Sequence, residues 1–180
     1  FEGDRIVADN FDGIGLVNDL QNNQGAPLRG KRVLMPGAGG AARGALLPFL
    51  NAKPSELVLA NRTKFKAQEL AASFANEGNI TACGLDDLSG ERFDVVLNAT
   101  SASLSGTMPA VPASVFANNA IAYELVYGKG LTPFLKLAQS AGVTRLTDGV
   151  GMLVEQAAEA FAWWRGVRPD TQAVIKQLTV

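Results

Sequence analysis

Short apolar runs alternate with amphipathic stretches along most of this 180-residue chain. Runs of period two or wholly apolar character predict strands at 31–35, 56–60, 80–83, 93–98, 121–126 and 144–147. Between them, apolar residues recur at helical spacing. Helices are predicted at about 40–51, 64–75 and 132–140, with Phe65, Leu70 and Phe74 on the apolar side of the second. A long amphipathic helix follows at 151–165 and a short one at 170–178. Upstream, residues 1–12 read as a hairpin or edge strand centred on Arg5-Ile-Val-Ala8. Gly13 to Asn22 reads as a helix striped by Ile14, Val17 and Leu20. A turn-rich linker with Gly25 and Pro27 connects it to the first strand of the alternating part.

Strands alternating with helices predict an α/β protein, a doubly wound and mostly parallel sheet with helices on both faces. Three parts are expected: a hinge strand and helix at 1–28, the alternating domain at 29–150, and packing helices at 151–180. In such a sheet a ligand sits at the carboxyl ends of the strands. Gly37, Asn61, Asn98, Tyr127 and Asp148 follow strand ends and are therefore candidates.

The strongest local signal is Lys31-Arg-Val-Leu-Met-Pro-Gly37-Ala-Gly39-Gly-Ala-Ala42. It fits G-x-G-x-x-A, a form of the Rossmann dinucleotide fingerprint. Gly37 permits the turn out of the strand, Gly39 lets backbone approach a pyrophosphate, and Ala42 allows close helix–sheet packing. Ala38, Gly40 and Ala41 complete the loop, whose N–H groups and helix dipole face an anion. The second strand ends in Asn61-Arg62-Thr63, where NAD sites usually carry an acid. A guanidinium and a hydroxyl suit a ribose 2′-phosphate instead, so the expected cofactor is NADP. Lys64 and Lys66 add positive potential beside it, and Lys66 is counted among the cofactor contacts.

Composition narrows the chemistry. The apolar fraction of 47% can supply a full core, and the charges nearly cancel, 16 basic against 17 acidic. No basic field points to nucleic acid. No apolar run is long enough to span a bilayer and no signal peptide is visible, so no membrane partner is expected. Cys83 is the only cysteine, which fits a reducing, cytoplasmic compartment. There is no histidine, so no imidazole base operates and a zinc site is not expected. The Tyr-x-x-x-Lys pair of short-chain dehydrogenases is missing too, since Tyr127 and Leu131 stand four residues after Tyr123 and Tyr127.

Ordered blocks along the whole chain resemble the shikimate dehydrogenases. They are Asn10-Phe-Asp12-Gly-Ile-Gly15, the glycine loop, Asn61-Arg-Thr63, Asn98-Ala-Thr-Ser101, Tyr123-Glu-Leu-Val-Tyr127, Thr132-Pro-Phe-Leu135 and Asp148-Gly-Val-Gly-Met-Leu-Val-Glu-Gln156. Glutamyl-tRNA reductase is similar in its glycine loop and Asn-Arg-Thr, but is not expected to share the other blocks. The resemblance implies reduction of 3-dehydroshikimate to shikimate with NADPH, using a lysine–aspartate pair. Asp12 is the catalytic, substrate-binding carboxylate by this resemblance. Tyr127 and Gln156 then contact substrate. Asn98, Thr100, Leu125, Gly149 and Met152 join the cofactor contacts.

The family's N-terminal substrate domain, with its Asn-x-Thr-x-Pro-x-Lys motif, has no counterpart here. The chain is therefore expected to be the NADP-binding part, inactive alone unless a lysine such as Lys129 substitutes. A quinate/shikimate dehydrogenase and a non-catalytic NADP-binding module are the alternatives. The helices 13–22 and 151–165, with Trp163 and Trp164, are expected to present apolar area to the other domain, which leaves a homo-oligomer open.

The chain departs from the family pattern at Phe11 (usually Thr), Ser103 (often Gly), Glu124 and Leu125 (usually Asp-Met), and Pro36 removes a backbone donor before the glycine loop. Several residues also have plainer readings. Asp12 and Thr63 could be helix N-caps. Asn98 and Thr100 could satisfy loop backbone groups. Tyr127 could be a buried, satisfied tyrosine, Met152 core and Gln156 surface. Cys83 reads as a small core residue.

Overall fold

The computed structural model describes residues 3–108, 110–128 and 130–179. Six strands form one parallel sheet in the order β3-β2-β1-β4-β5-β6. They are β1 (Arg32–Pro36), β2 (Glu56–Asn61), β3 (Ile80–Gly84), β4 (Phe93–Asn98), β5 (Phe116–Glu124) and β6 (Arg145–Thr147). The order reverses between β1 and β4, and this switch point opens a crevice at the carboxyl ends.

Both sheet faces are covered, so the central strands are apolar throughout rather than alternating. Val33, Met35, Leu57, Leu59, Val95, Leu97, Ile121 and Tyr123 point to one side. There they meet α1 (Asp12–Asn18), α2 (Gly40–Asn51), α3 (Lys64–Ala72) and Met152 of α5 (Val150–Arg165). Leu34, Val58, Val96 and Ala122 point to the other side, onto Phe134, Leu135 and Ala138 of α4 (Pro133–Ser140) and onto short 3₁₀ turns.

The element limits agree closely with the sequence pattern except at three places. First, residues 3–12 do not make the expected strand: among the described residues of this segment only Arg5 forms a bridge, and Ile6 is 80% exposed. Second, β5 begins five residues earlier than its apolar run. The pairing with β4 jumps from Phe93↔Phe116 to Val95↔Ile121. The extra residues bulge at Asn119, whose φ is 62°, a conformation asparagine tolerates better than most residues. Third, α1 does not stop at Asn18 but passes into one π-helical turn, Asp19–Asn23.

Glycines set the helix packing on the first side. A Cβ at Gly13 would lie 2.3 Å from the Gly44 carbonyl oxygen and 2.8 Å from Pro48 Cγ. Pro48 removes the donor that would ordinarily take that carbonyl within α2, and the bare backbone of α1 comes up against it. A Cβ at Gly15 would lie 2.6 Å from the Gln156 backbone nitrogen. One at Gly151 would lie 2.1 Å from an Asp19 carboxylate oxygen. Thus α1 and α5 run antiparallel at backbone contact, and the Phe11 and Trp163 rings meet at their far end, 5.6 Å between centroids.

This packing corrects the expectation of an apolar 13–22 face. Leu16, Val17 and Leu20 are buried, and of that stripe only Ile14 is exposed, at 39%. The later turns of α5 do carry exposed apolar area, at Phe161, Trp163 and Trp164. α5 ends at Gly166 in the left-handed conformation. Arg168 then ties the tail back to Glu155 and Glu159, and Thr171 donates to Glu155 at 2.7 Å. The last helix, α6 (Gln172–Leu178), buries nothing. No described helix is long and apolar enough to cross a membrane.

Candidate functional site

The glycine loop occupies the crevice at the switch point. Pro36 closes β1 still in register with Ala60, and its carbonyl accepts from Ala99 at 2.9 Å. Its missing N–H costs little there, because the neighbouring Gly37 N–H supplies the link to the Ala60 carbonyl, at 2.7 Å. Gly37 has φ 120°, and a Cβ on it would lie 2.6 Å from the Ala99 oxygen. It is glycine for both reasons. Gly39 and Gly40 have nothing within 4 Å of a Cβ position, so their backbone is open to the crevice. Gly39 is the N-cap of α2 and makes no side-chain cap. The first-turn N–H groups of a twelve-residue helix thus face open space.

Two adjoining cavities fill the crevice. One, of about 410 Å³, is walled by Gly37 to Ala41 on one side and by Thr100, Leu125 and Val126 on the other. The second, of about 700 Å³, continues over β2 and β3, past Arg62, Lys64 and Asp86 to Met108. They share Gly37, Asn61, Thr100 and Ser101. Together they make a trough along the carboxyl ends of β3, β2, β1, β4 and β5.

At the β2 end, Arg62 is exposed and makes no ion pair or side-chain hydrogen bond among the described residues. Lys64 is not free in the same way. Its ammonium sits 2.8 Å from Asp87, which also accepts from the Gly84 N–H at 2.9 Å. That pairing raises the Lys64 pKa and lowers that of Asp87. Thr63 stands at the N-cap of α3 without capping it, and Asn61 Nδ2 donates to the Thr63 carbonyl at 3.0 Å. Thr63 and Lys66 are exposed and lie outside both cavities.

At the β4–β5 end the structure corrects one expectation. Asn98 is fully buried and does not line the trough. Its Nδ2 donates to Glu124 at 2.9 Å and its Oδ1 accepts from the Thr100 backbone and hydroxyl, at 3.2 and 2.8 Å. It shapes the wall through Thr100, which does line the trough. Gly149 is buried as well. A Cβ there would lie 2.2 Å from the Leu125 carbonyl oxygen, so this glycine seats α5 against the wall formed by Leu125.

Asp12, Met152, Gln156 and Tyr127 lie off the trough proper. The N-cap of α1 is Phe11, not Asp12, and Asn10 Oδ1 accepts the Asp12 N–H at 2.8 Å. The capping alternative for Asp12 is thereby removed. Its carboxylate has no hydrogen-bond partner among the described residues and is half-buried. Gln156 crosses α1 at Gly15, one turn along from Asp12, so both are on the α5-facing side of α1. Met152 packs on the core between α1 and the sheet. Tyr127 is 48% exposed, so the buried-tyrosine reading fails for it. The buried, satisfied tyrosine is Tyr123, whose hydroxyl donates to Asp19 at 2.6 Å. Burial first, then the Asp19 charge, hold the Tyr123 pKa well above 10. Cys83 is half-buried and unpaired, its thiol pKa raised chiefly by desolvation. Lys129 lies outside the described residues.

The sequence reading met Glu124 and Glu155 only inside the family blocks and did not foresee the burial of three acids: Asp19, Glu124 and Glu155 are each at most 3% exposed. Each gathers donors from several elements. Asp19 takes Tyr123 and Asn23. Glu124 takes Asn98, Ser103 and Thr132. Glu155 takes Asn23, Thr171 and Arg168. No sequence-local signal marks them, because their partners stand up to 132 residues away.

Comparison with known proteins agrees with the geometry. The family model for shikimate/quinate 5-dehydrogenase matches residues 19–107, and that for the shikimate 5′-dehydrogenase C-terminal domain matches 149–179. The shikimate dehydrogenase (NADP(+)) of Nitrosospira multiformis is 53% identical over 178 residues, covering 99% of this chain and 65% of that protein. The crystal structure of an Ael1 enzyme from Pseudomonas putida superposes with TM-score 0.92 at 61% identity, over 100% of this chain and 66% of that one. The shikimate 5-dehydrogenase of Thermus thermophilus, solved with NADP(H) and shikimate, superposes at 0.78 with 30% identity, over 94% and 62%. The chain thus spans about 65% of the length of the curated relatives it matches. Its fold, its glycine crevice and both family models place it in the shikimate/quinate dehydrogenase family.

Proposed function

We propose that this chain is the NADP-binding part of a shikimate dehydrogenase, which reversibly reduces 3-dehydroshikimate to shikimate. The observation that carries the reading is the trough: open N–H groups at Gly39 and Gly40 at one point, and the unpaired Arg62 guanidinium further along, over β2. A pyrophosphate suits the first and a 2′-phosphate the second. The backbone fits such a group, because no side chain fills the space above the loop. The relatives support it, being named NADP(+)-dependent shikimate dehydrogenases.

In this reading Gly37 to Ala41 hold the pyrophosphate, and Asn61, Arg62 and Thr63 hold the adenosine end with Lys66 nearby. Thr100, Leu125, Gly149 and Met152 bound the nicotinamide end, and Asn98 acts by fixing Thr100. NADPH supplies the hydride when bound. Asp12 binds a substrate hydroxyl and shares its proton with a lysine, while Tyr127 and Gln156 orient the substrate. Residues 29–150 form the cofactor domain, flanked by hinge elements at 1–28 and 151–180. A free thiol at Cys83 suits a reducing cytoplasm.

Titration of the purified chain with NADPH and NADH tests the cofactor. Tighter binding of NADPH by about tenfold or more is expected from one charge-assisted phosphate contact. Equal affinities would overturn it.

A further inference from the structure

Glu124 is the last residue of β5 and is fully buried. Its Oε2 accepts from Asn98 Nδ2 at 2.9 Å, Ser103 Oγ at 2.5 Å and Thr132 Oγ1 at 3.1 Å, and its Oε1 accepts from the Val126 N–H at 3.3 Å. These donors come from four places: the end of β4, the turn after it, the loop after β5, and the N-cap of α4. Thr132 in turn accepts from the Leu135 N–H, and Asn98 accepts from Thr100. One carboxylate therefore joins both loops that wall the trough at this end. Thr100 and Ser101 belong to one of these loops, Leu125 and Val126 to the other, and together they face the glycine loop across the cavity. None of the four donors belongs to the glycine loop or to the Arg62 strand end.

We propose that Glu124 is a positioning residue that sets the width of the trough at the end of β4 and β5, and so selects for the nicotinamide half of the cofactor. A dinucleotide lies across the switch point, and Arg62 marks its adenosine end over β2, so its nicotinamide end lies over β4 and β5. The proposal rests on the cofactor reading above. Fully satisfied, such a buried network fixes both loops. With one donor unmatched, the loops must part or leave a polar group unpaired. Glu124→Gln does this without changing shape, since either orientation of its amide sets an N–H₂ against an obligate donor, the Asn98 Nδ2 or the Val126 N–H. Ser103→Ala removes a single donor.

The test compares two ligands, NADPH and 2′,5′-ADP, which carries only the adenosine end. In Glu124→Gln, NADPH affinity is expected to fall by about tenfold or more, while 2′,5′-ADP stays within about twofold of wild type. In Ser103→Ala the NADPH loss should be smaller, about threefold, with 2′,5′-ADP again unmoved. The ratio of the two affinities separates positioning from general loss of structure, which would weaken both ligands alike. Equal loss of both in folded protein, or loss of neither, overturns the proposal. If Glu124→Gln does not fold, Ser103→Ala alone decides it by the same ratio. Wild-type protein that binds neither ligand overturns the cofactor reading and this proposal together.

Discussion

Gly15 lies in backbone contact with Gln156: a methyl group at Gly15 would come within 2.6 Å of the Gln156 nitrogen and 2.8 Å of its Cα. Neither neighbour is the movable end of a side chain, so a larger residue must push α1 off α5. Overpacking of this kind costs about 1–3 kcal/mol. Gly15→Ala should therefore lower the unfolding free energy by that amount, read as a fall in the urea midpoint. It should also weaken any function that needs Asp12 and Gln156 on one side of the crossing. An unchanged midpoint would mean that the two helices are not in contact.

Tyr123 and Asp19 give the fold an alkaline limit. Burial and the Asp19 charge hold the Tyr123 pKa well above its ordinary 10. The folded protein thus keeps a proton that the unfolded chain releases near pH 10. Stability from this source is complete below pH 10 and declines as pH rises above it. Tyr123→Phe should lower stability at neutral pH by about 1–3 kcal/mol, since it strips a donor from a buried carboxylate. It should also flatten the decline between pH 10 and 11. Unfolding free energies measured across that range, wild type against variant, check both signs.

Arg62 is expected to decide between the two nicotinamide cofactors. Lys64 is held by Asp87, which leaves the Arg62 guanidinium, among the described residues, as the unpaired cation that lines the trough over β2. A charge-assisted bond to phosphate contributes about 1.5–3 kcal/mol. Arg62→Ala should weaken NADPH binding by roughly one to two decades and leave NADH within a factor of a few. Lys64→Ala should change the NADPH to NADH ratio much less. A preference that survives Arg62→Ala would place the 2′-phosphate elsewhere.

Much of this architecture is written in local pattern. Apolar runs such as Phe93-Asp-Val-Val-Leu-Asn98 and the glycine loop identify themselves, because period and turn chemistry act over a few residues. What stays hidden depends on partners far along the chain. Gly13, Gly15 and Gly151 look like helix breakers until Gly44, Gln156 and Asp19 are seen against them. Asp19, Glu124 and Glu155 look like surface charges until their donors are seen. Asn98 follows a strand into the crevice, as a ligand residue would, yet its amide turns inward to Glu124. Residues 5–8 have strand composition, but Ile6 is 80% exposed and the segment forms no strand.

Binding and turnover should separate in this polypeptide. The trough that would hold NADP is built wholly from residues of this chain. The groups proposed for substrate are not comparably enclosed. Tyr127 is 48% exposed, and the Asp12 carboxylate has no partner among the described residues, whereas an acid–base pair needs two members in reach. The relatives are longer, this chain spanning 65% of the one from Nitrosospira multiformis. Positioning of reactants can supply about 7–11 kcal/mol of barrier lowering, and exposed or unpartnered groups supply little of it. The purified chain should therefore bind NADPH yet oxidise shikimate with NADP⁺ no faster than its own Asp12→Asn variant, read as NADPH absorbance. Robust turnover that Asp12→Asn abolishes would show that this chain supplies the partner base itself, and a scan of its lysines, Lys129 first, would then locate it.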